Sequence, residues 1–548
     1  MNKDTAVGVV YQKNKKGNIE YAYKNKAYWD KNKQQSRSIR KLIGKVDPIT
    51  NEIIPTRSYV KINTKEDKVS KKGRVPITQT KRLFYGATYL FDKIGEKINV
   101  TADLRTCFPD AYKKVLSIAY FLILEENNSL SRFSHWQRLH NHPYGEDIIS
   151  QRSSEFFQSI TDGARENFFT KQGKRRLEKE YWAFDTTSIS SYSSTLKQVK
   201  RGFNKENDNL DQINLAMLFG EQSGLPFCYR KLPGNIPDVK IIKQLLHEFD
   251  VLGQKKVKVV MDRGFFSKGN VNDFYKNNQK FLIGTKLNTK LKTGKKHHQT
   301  IKEIIDEEKD NINIWPNLHQ QFNIYGVSQT ITWEYEQHSR KDILIKKGKR
   351  IYLLLFYNPE KTAKDQTNFN SKLTKFYDNL IDNPKKDYSG SEYIKYFTIT
   401  ETPTRGRKII ANVDAIKKTS RYFGYFALLS NEIKRPFDAL SLYRSKDIIE
   451  KAFGNLKDRL NFRRLQVSSE LALNGKIFVE FIALIYLSYI KKKMEEAGLF
   501  KKWTLQGLLD ELDIIEMHQD PGHGYQIGEI TKKQMEIYKA LDIEFPSL

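Results

Sequence analysis

Between Glu180 and Leu287 short apolar runs alternate with turn formers, and two of those runs end in an aspartate. Tyr181-Trp182-Ala183-Phe184 reads as a short buried strand ending in Asp185-Thr186-Thr187-Ser188. Strand-like runs follow at Ile213 to Phe219 and Leu225 to Leu232, joined by the turn Gly220 to Gly224. Pro237 suits the first turn of a helix that carries Ile241, Leu245, Leu246 and Phe249 and stops at Gly253. Val257-Lys258-Val259-Val260-Met261 is the next apolar strand, and it runs into Asp262-Arg263-Gly264. A helix over about Gly269 to Asn278 and a strand over Phe281 to Leu287 complete the series. The predicted order is strand, strand, strand, helix, strand, helix, strand. Strand ends of such a sheet face a cleft, so acidic residues there mark a candidate site.

This is the order of an RNase H-like α/β core. After Lys286 the chain turns basic and polar through Lys290, Lys292, Lys295 and Lys296, with the pair His297-His298 read as loop rather than ligand. Alternating strands then appear at Ile324 to Tyr335 and Arg350 to Tyr357. These predict a β-rich insertion over 289–420 that interrupts the core. The core resumes at Phe423 to Leu429 and continues in a helix over about Pro436 to Leu460. Before the core, Asn18 to Pro55 alternates polar and apolar residues and reaches the turn cluster Asp47-Pro48-Ile49-Thr50-Asn51, which predicts a small β meander. From Thr78 to Phe168 the period is helical. The expected organisation is a basic β-rich region at 1–75, a helical region at 76–178, the two parts of the core at 179–288 and 421–495 around the insertion, and a C-terminal helical region at 496–548. At 548 residues, division into roughly two to four domains is the general expectation.

Asp185 and Asp262 meet if their strands are parallel neighbours, and a third carboxylate is available from the segment Tyr443 to Lys457. At about 100° per residue, Tyr443, Lys446, Glu450 and Lys457 fall within an arc of roughly 60° on one helix. Ile449, Phe453, Leu456 and Leu460 form an adjoining apolar stripe that would pack on the core. Hard oxygen ligands converging on one point suit divalent ions that contact both the attacking and leaving oxygens of a phosphoryl group.

The run from Tyr443 resembles the Tyr-x2-Arg-x3-Glu-x6-Lys signature of DDE-type insertion-sequence transposases, in the broad insertion sequence 4 group. Tyr443, Glu450 and Lys457 match at the family spacing, while Lys446 stands where the family usually has Arg, with Arg444 nearby. Lysine keeps the charge but not the forked geometry that grips a phosphate by two bonds. Phe184-Asp185-Thr186-Thr187-Ser188 resembles the family's first acidic motif and Met261-Asp262-Arg263-Gly264 its second. Two further stretches look typical, Asp211-Gln212-Ile213-Asn214-Leu215-Ala216 through Gly234-Asn235-Ile236-Pro237-Asp238, and Tyr28-Trp29-Asp30-Lys31 to Ile43-Gly44-Lys45. A β-rich insertion before the glutamate is also a family trait.

The resemblance implies a DNA transposase in which Asp185, Asp262 and Glu450 are catalytic and bind two Mg²⁺ or Mn²⁺ ions. It implies phosphate contacts from Tyr443, Lys446 and Lys457, with Arg444 and Arg263 as further DNA-binding candidates and Asp238 as a structural residue. Its partners would be double-stranded DNA, both transposon ends and target, and a second copy of the chain in a homodimeric synaptic complex. Trp315 and Trp333 are candidates to receive a flipped base, although core packing is the commoner use of such residues.

Charge agrees with a polyanionic partner: 94 Lys and Arg stand against 64 Asp and Glu, a net of +30. Met1 to Val100 holds 23 basic and 9 acidic residues, so nearly half of the excess lies in under a fifth of the chain, and that segment is the expected DNA-contacting region. Cys107 and Cys228 support neither a disulfide framework nor a zinc ribbon, and fit a reducing, cytoplasmic and nucleoid-associated setting. The most apolar run, Ile477 to Ile490, is short for a bilayer span and contains Glu480, so it reads as a buried helix with no membrane partner. Two competing readings remain at this stage. One is a catalytically silent, sequence-specific DNA-binding protein of the same fold; the other takes Asp185-Thr186-Thr187 as the phosphorylated aspartate of a haloacid-dehalogenase-type phosphatase.

Overall fold

The computed structural model describes residues 7–14, 19–30, 33–48, 50–55, 81–126, 128–175, 180–203, 208–251, 257–293, 297–338, 344–383, 388, 390–402, 406–465, 467, 469–520 and 524–547. Asn18, Lys31, Ile49, Gly253, Lys295, Lys296 and residues 56–80, which enter the expectations above, lie outside this description. Met1–Lys81 with His518–Gln526 form one compact unit, and Arg82–Met517 with Ile527–Leu548 form another.

In the smaller unit the alternation of polar and apolar residues produces β1 (Val7–Lys13), β2 (Glu20–Asp30), β3 (Gln35–Val46) and β4 (Ile53–Pro55), an antiparallel sheet in chain order. The meander expected from Asn18 thus has an additional strand ahead of it. β3 presents Arg37, Arg40 and Lys41 to solvent.

The larger unit begins with helices, among them α1 (Tyr112–Leu124), α2 (Ser150–Ser159) and α3 (Asp162–Lys174). It then builds a large mixed sheet. β5 (Trp182–Ser191), β6 (Asp211–Gly220) and β7 (Pro226–Pro233) form an antiparallel meander. Helix α4 (Asp238–Val251) carries the chain over to β8 (Lys258–Met261), which pairs parallel with β5. Helix α5 (Lys268–Lys276) leads to β9 (Lys280–Thr285), parallel with β8. Val259, Val260, Met261, Phe281, Leu282 and Ile283 are all fully buried, as strands covered on both faces require.

The long strands β10 (Ile324–His338) and β11 (Leu344–Tyr357) do not form a separate unit. They extend this sheet through β12 (Tyr425–Ser430), giving the order β10-β11-β12-β9-β8-β5-β6-β7. The expected separate β-rich insertion is therefore corrected in part: its two long strands belong to the core sheet. The rest of it includes a hairpin, Lys290–Thr293 with His297–Thr300, the helix Ile301–Ile312, and a 24-residue helix, α6 (Pro359–Asp382), which packs with a second hairpin, Phe397–Thr402 and Gly406–Ala411, around Phe369, Leu380, Tyr396 and Phe397. The burial of β11 fits the join. Its second half, Ile351 to Phe356, is buried on both faces and needs a neighbour on each edge.

After β12 the chain forms α7 (Pro436–Ser445), α8 (Asp447–Gly454) and a π-helical turn at Asn455–Arg459, in place of the single helix expected from Pro436 to Leu460. It continues into α9 (Glu470–Glu496), 27 residues long, after which come the shorter helices Leu505–Asp513 and Lys532–Ala540. α9 is long and apolar enough to cross a membrane, yet 83% of its apolar window is buried inside this chain, so length and composition are here satisfied by a core helix. It packs on α1 and α2, and its rings meet three parts of the fold: Phe478 touches Phe108 and Phe168, Tyr486 touches Tyr120, and Phe481 touches Tyr229 of β7.

Glu480 lies in the middle of this helix at 2% exposure, with Oε2 unpartnered. Burial pushes its carboxyl up to about 8, against a smaller downward pull from Lys476. The folded chain therefore holds a proton that the unfolded chain has released between the ordinary carboxylate range and about 8. Stability is lost as pH rises across that window. Thermal denaturation from pH 5 to 8.5 should show this decline, and Glu480→Gln should flatten it and be the more stable form at pH 8.5, by on the order of a few kcal/mol.

Candidate active site

The register of β5 against β8 pairs Trp182 with Val259, Ala183 with Val260 and Phe184 with Met261. One step further stand Asp185 and Asp262, with Asp262 still extended (φ −75°, ψ 166°). In-register parallel neighbours point their side chains to the same face, about 4.8 Å apart at the backbone. The strand was expected to end at Asp185. Instead it continues to Ser191, because Thr186 to Ser191 keep their ladder with β6 and gain Arg464–Leu465 as a parallel partner. What ends at Asp185 is the contact with β8.

Asp262 is the best-determined acid. Tyr443 Oη donates to its Oδ1 at 2.6 Å, and Lys446 Nζ stands 3.6 Å from the same oxygen. Burial pushes the Asp262 carboxyl up, but the Tyr443 hydroxyl, the Lys446 ammonium and Arg263 together outweigh it and hold it below the usual carboxylate range. The Tyr443 phenol is raised far above its ordinary value, first by burial and then by Asp262, so it remains a donor.

Lys446 also lies 3.4 Å from Glu450 Oε1, and the charge of Asp185 acts on it as well. Its side chain is only 11% exposed and sits over the Tyr443 ring at 5.2 Å. Asp262 and Glu450 thus flank a single ammonium, on which the charge of Asp185 also acts. Glu450, on α8, is 63% exposed, whereas Asp185 turns its Oδ1 toward its own neighbour's amide, Thr186 N, at 2.7 Å. As the side chains are placed, no three His, Cys, Asp or Glu among the described residues stand close enough to hold a metal. The donor set nonetheless suits a hard divalent ion, since carboxylate oxygens already gather round a buried positive charge.

The polar stripe is corrected at its far end. Tyr443, Lys446 and Glu450 share one edge despite the break between α7 and α8 at Lys446. Beyond Gly454 the wider π-helical turn advances each residue by less than 100°. Lys457 is rotated inward to 8% exposure and does not line the groove beside the acids.

That open groove, of about 630 Å³, is lined by Asp262, Arg263, Arg444, Lys446 and Glu450. Arg263 is exposed, and the Arg444 guanidinium lies over the Phe322 ring at 4.4 Å. Lys361 and Asp365 of α6, ion-paired at 2.8 Å, line it too and were missed in the sequence. No motif marks them, because they approach from the inserted segment. Asp238 accepts from Thr186 Oγ1 at 2.7 Å and starts α4, linking the strand of the first acid to the helix that leads to the second. Trp333 is buried and donates Nε1 to Asn272 at 2.7 Å, which makes it a packing residue, whereas Trp315 is 82% exposed. His297-His298 opens a strand, His297–Thr300, rather than a loop.

Residues 177–486, more than half of the chain, match the family model described as Transposase DDE domain, and the chain belongs to that family. No curated protein sequence matches it. Among solved structures, the cryo-EM structure of piggyBac transposase in a synaptic complex with hairpin DNA is similar over 77% of this chain and 70% of that one, at 10% identity and a TM-score of 0.28. A likeness that slight locates no residue.

Gly284 of β9 backs the site, where a Cβ would stand 2.7 Å from Tyr443 Oη and 3.0 Å from Arg263 N. Gly284→Ala should push the phenol off Asp262 and raise the pH at which Asp262 protonates, because the hydroxyl's downward pull is lost. Carboxylate ¹³C shifts followed through a pH titration will read this, and an unchanged Asp262 titration would show that the phenol does not depend on this glycine.

Proposed function

We propose that this protein is a DNA transposase that cleaves and joins strands of DNA with two divalent ions, Mg²⁺ or Mn²⁺, held by Asp185, Asp262 and Glu450. The observation that carries the reading is Lys446 standing between Asp262 and Glu450, with Asp185 and Asp262 one register step beyond a parallel strand pair. The order β7-β6-β5-β8-β9, antiparallel then parallel, is that of an RNase H-like core and supports the same reading.

The chain's own residues have distinct tasks. Tyr443 fixes the rotamer of Asp262 and keeps it ionised, so that it is a ready ligand at neutral pH. Arg263, Arg444 and Lys446 line the groove and would neutralise backbone phosphates, positioning the duplex without reading its sequence. Lys457 is left out of this set by its burial. When bound, divalent ions supply Lewis-acid activation of the attacking oxygen and stabilisation of the leaving one.

The substrates are double-stranded transposon ends and target DNA, and joining two ends calls for a homodimer in the synaptic complex. The net charge of +30 supports the polyanionic substrate.

A supercoiled plasmid carrying the element's ends, incubated with Mg²⁺, should be nicked or excised. Asp185→Asn should reduce this by at least on the order of 100-fold, about 2.7 kcal/mol of transition-state stabilisation, while leaving DNA binding intact. Equal cleavage by the variant would remove the catalytic assignment, and DNA binding with no cleavage by either protein would favour a silent DNA-binding role.

A further inference from the structure

We propose that Lys446 is a built-in stand-in cation, whose ammonium holds the carboxylates of Asp262 and Glu450 together in the metal-free protein and must leave before divalent ions can enter. This rests on the metal reading above and adds a competition that sets metal affinity. Nζ is 3.6 Å from Asp262 Oδ1 and 3.4 Å from Glu450 Oε1, so one nitrogen occupies the point on which these ligands converge. The side chain is nine-tenths buried and the Tyr443 ring closes over it, which makes the position a built one rather than a solvated surface pair.

Residue type matters here. An ammonium is a compact point charge with three rotatable donors and can sit where a small ion would, whereas the planar guanidinium usual at this position in the resembling family is wider and donates in a fixed fork. Lys446 is the residue between α7 and α8, where the two helices meet and its own backbone stays in the right-handed helical region. Once displaced, the same long side chain lines the groove with Arg444 and is free to take a phosphate.

The test uses the full chain without DNA and Mn²⁺ as probe, with free Mn²⁺ counted by electron paramagnetic resonance. Lys446→Met keeps the length of the side chain and removes its charge, and it should bind Mn²⁺ on the order of tenfold more tightly than the native chain, the worth of a charged hydrogen bond released. Because loss of the cation between Asp262 and Glu450 can unfold that variant, a second measurement uses the native chain: acylation of Lys446, read by mass spectrometry, should rise several-fold when Mn²⁺ is added.

If the native chain binds Mn²⁺ and Asp185→Asn weakens that binding, yet Lys446→Met binds no tighter and Lys446 labels no faster, the stand-in role is overturned and the metal site survives. If no form of the chain binds Mn²⁺, Lys446→Met included, the metal reading falls and the competition falls with it.

Discussion

Three residue pairs, Trp182 to Phe184 against Val259 to Met261, fix where the chemistry of this chain can lie. Parallel strands need a crossover between them and cover on both faces, and α4 together with the fully buried Val259, Val260 and Met261 meets both needs. β5 then continues without β8, because β6 and Arg464–Leu465 satisfy its remaining backbone groups. The position of Asp185 is therefore decided by the length of a different strand. β8 stops after four residues, where the chain enters the 3-10 turn Arg263–Phe265 and the buried Phe265 ring meets Phe184 at 5.0 Å. That aromatic contact ties the turn after the second acid to the residue before the first.

Two carboxylates in the same unit, one buried and one half-exposed, show what the surroundings of Asp262 accomplish. Glu480 in α9 is pushed up to about 8, since Lys476 offsets only part of the cost of burial and Oε2 has no partner. Asp262 pays a desolvation cost too, yet falls below its ordinary range, because a phenol and an ammonium face it directly. Desolvation alone would have pushed the carboxyl at the strand end up rather than down. The donors on α7 and the turn after it are what bring it down, so the helix matters to the site before its own glutamate is considered.

The elements legible in the sequence were those whose signal is local. Short apolar runs between turn formers marked β6, β7, β8 and β9 to within a residue or two, and Pro237 marked the start of α4. Fixed spacing brought Tyr443, Lys446 and Glu450 to one edge. Less legible were features that depend on partners far away in the chain. β12 pairs with β9 across a separation of some 140 residues, and no periodicity in β11 says which sheet its second half joins. The break at Lys446 and the π-helical turn after Gly454 have no proline to announce them, so a uniform 100° step carried Lys457 to the wrong face. Lys361 and Asp365 have a helical signature only, and nothing local tells which groove that helix faces.

The position of α6 suggests why the inserted segment belongs to the sheet. If β10 and β11 were a free module, α6 would be held by its own small core alone. As built, Asn358 at the end of β11 caps α6 by accepting from Lys361 N, and the Thr362 hydroxyl donates to the Asn358 and Phe423 carbonyls. Asp365 accepts from Gly424 N at 3.2 Å, just before β12 begins. Gly424 has φ of +80°, and a Cβ there would meet Thr362 Oγ1 at 1.9 Å, so only glycine lets helix and strand approach this closely. The first turns of α6 are thereby fastened to the same strand that pairs with β9. Lys361 and Asp365 consequently keep a fixed relation to Asp262, and a wall of the groove contributed by an insertion is as well anchored as the acids contributed by the core.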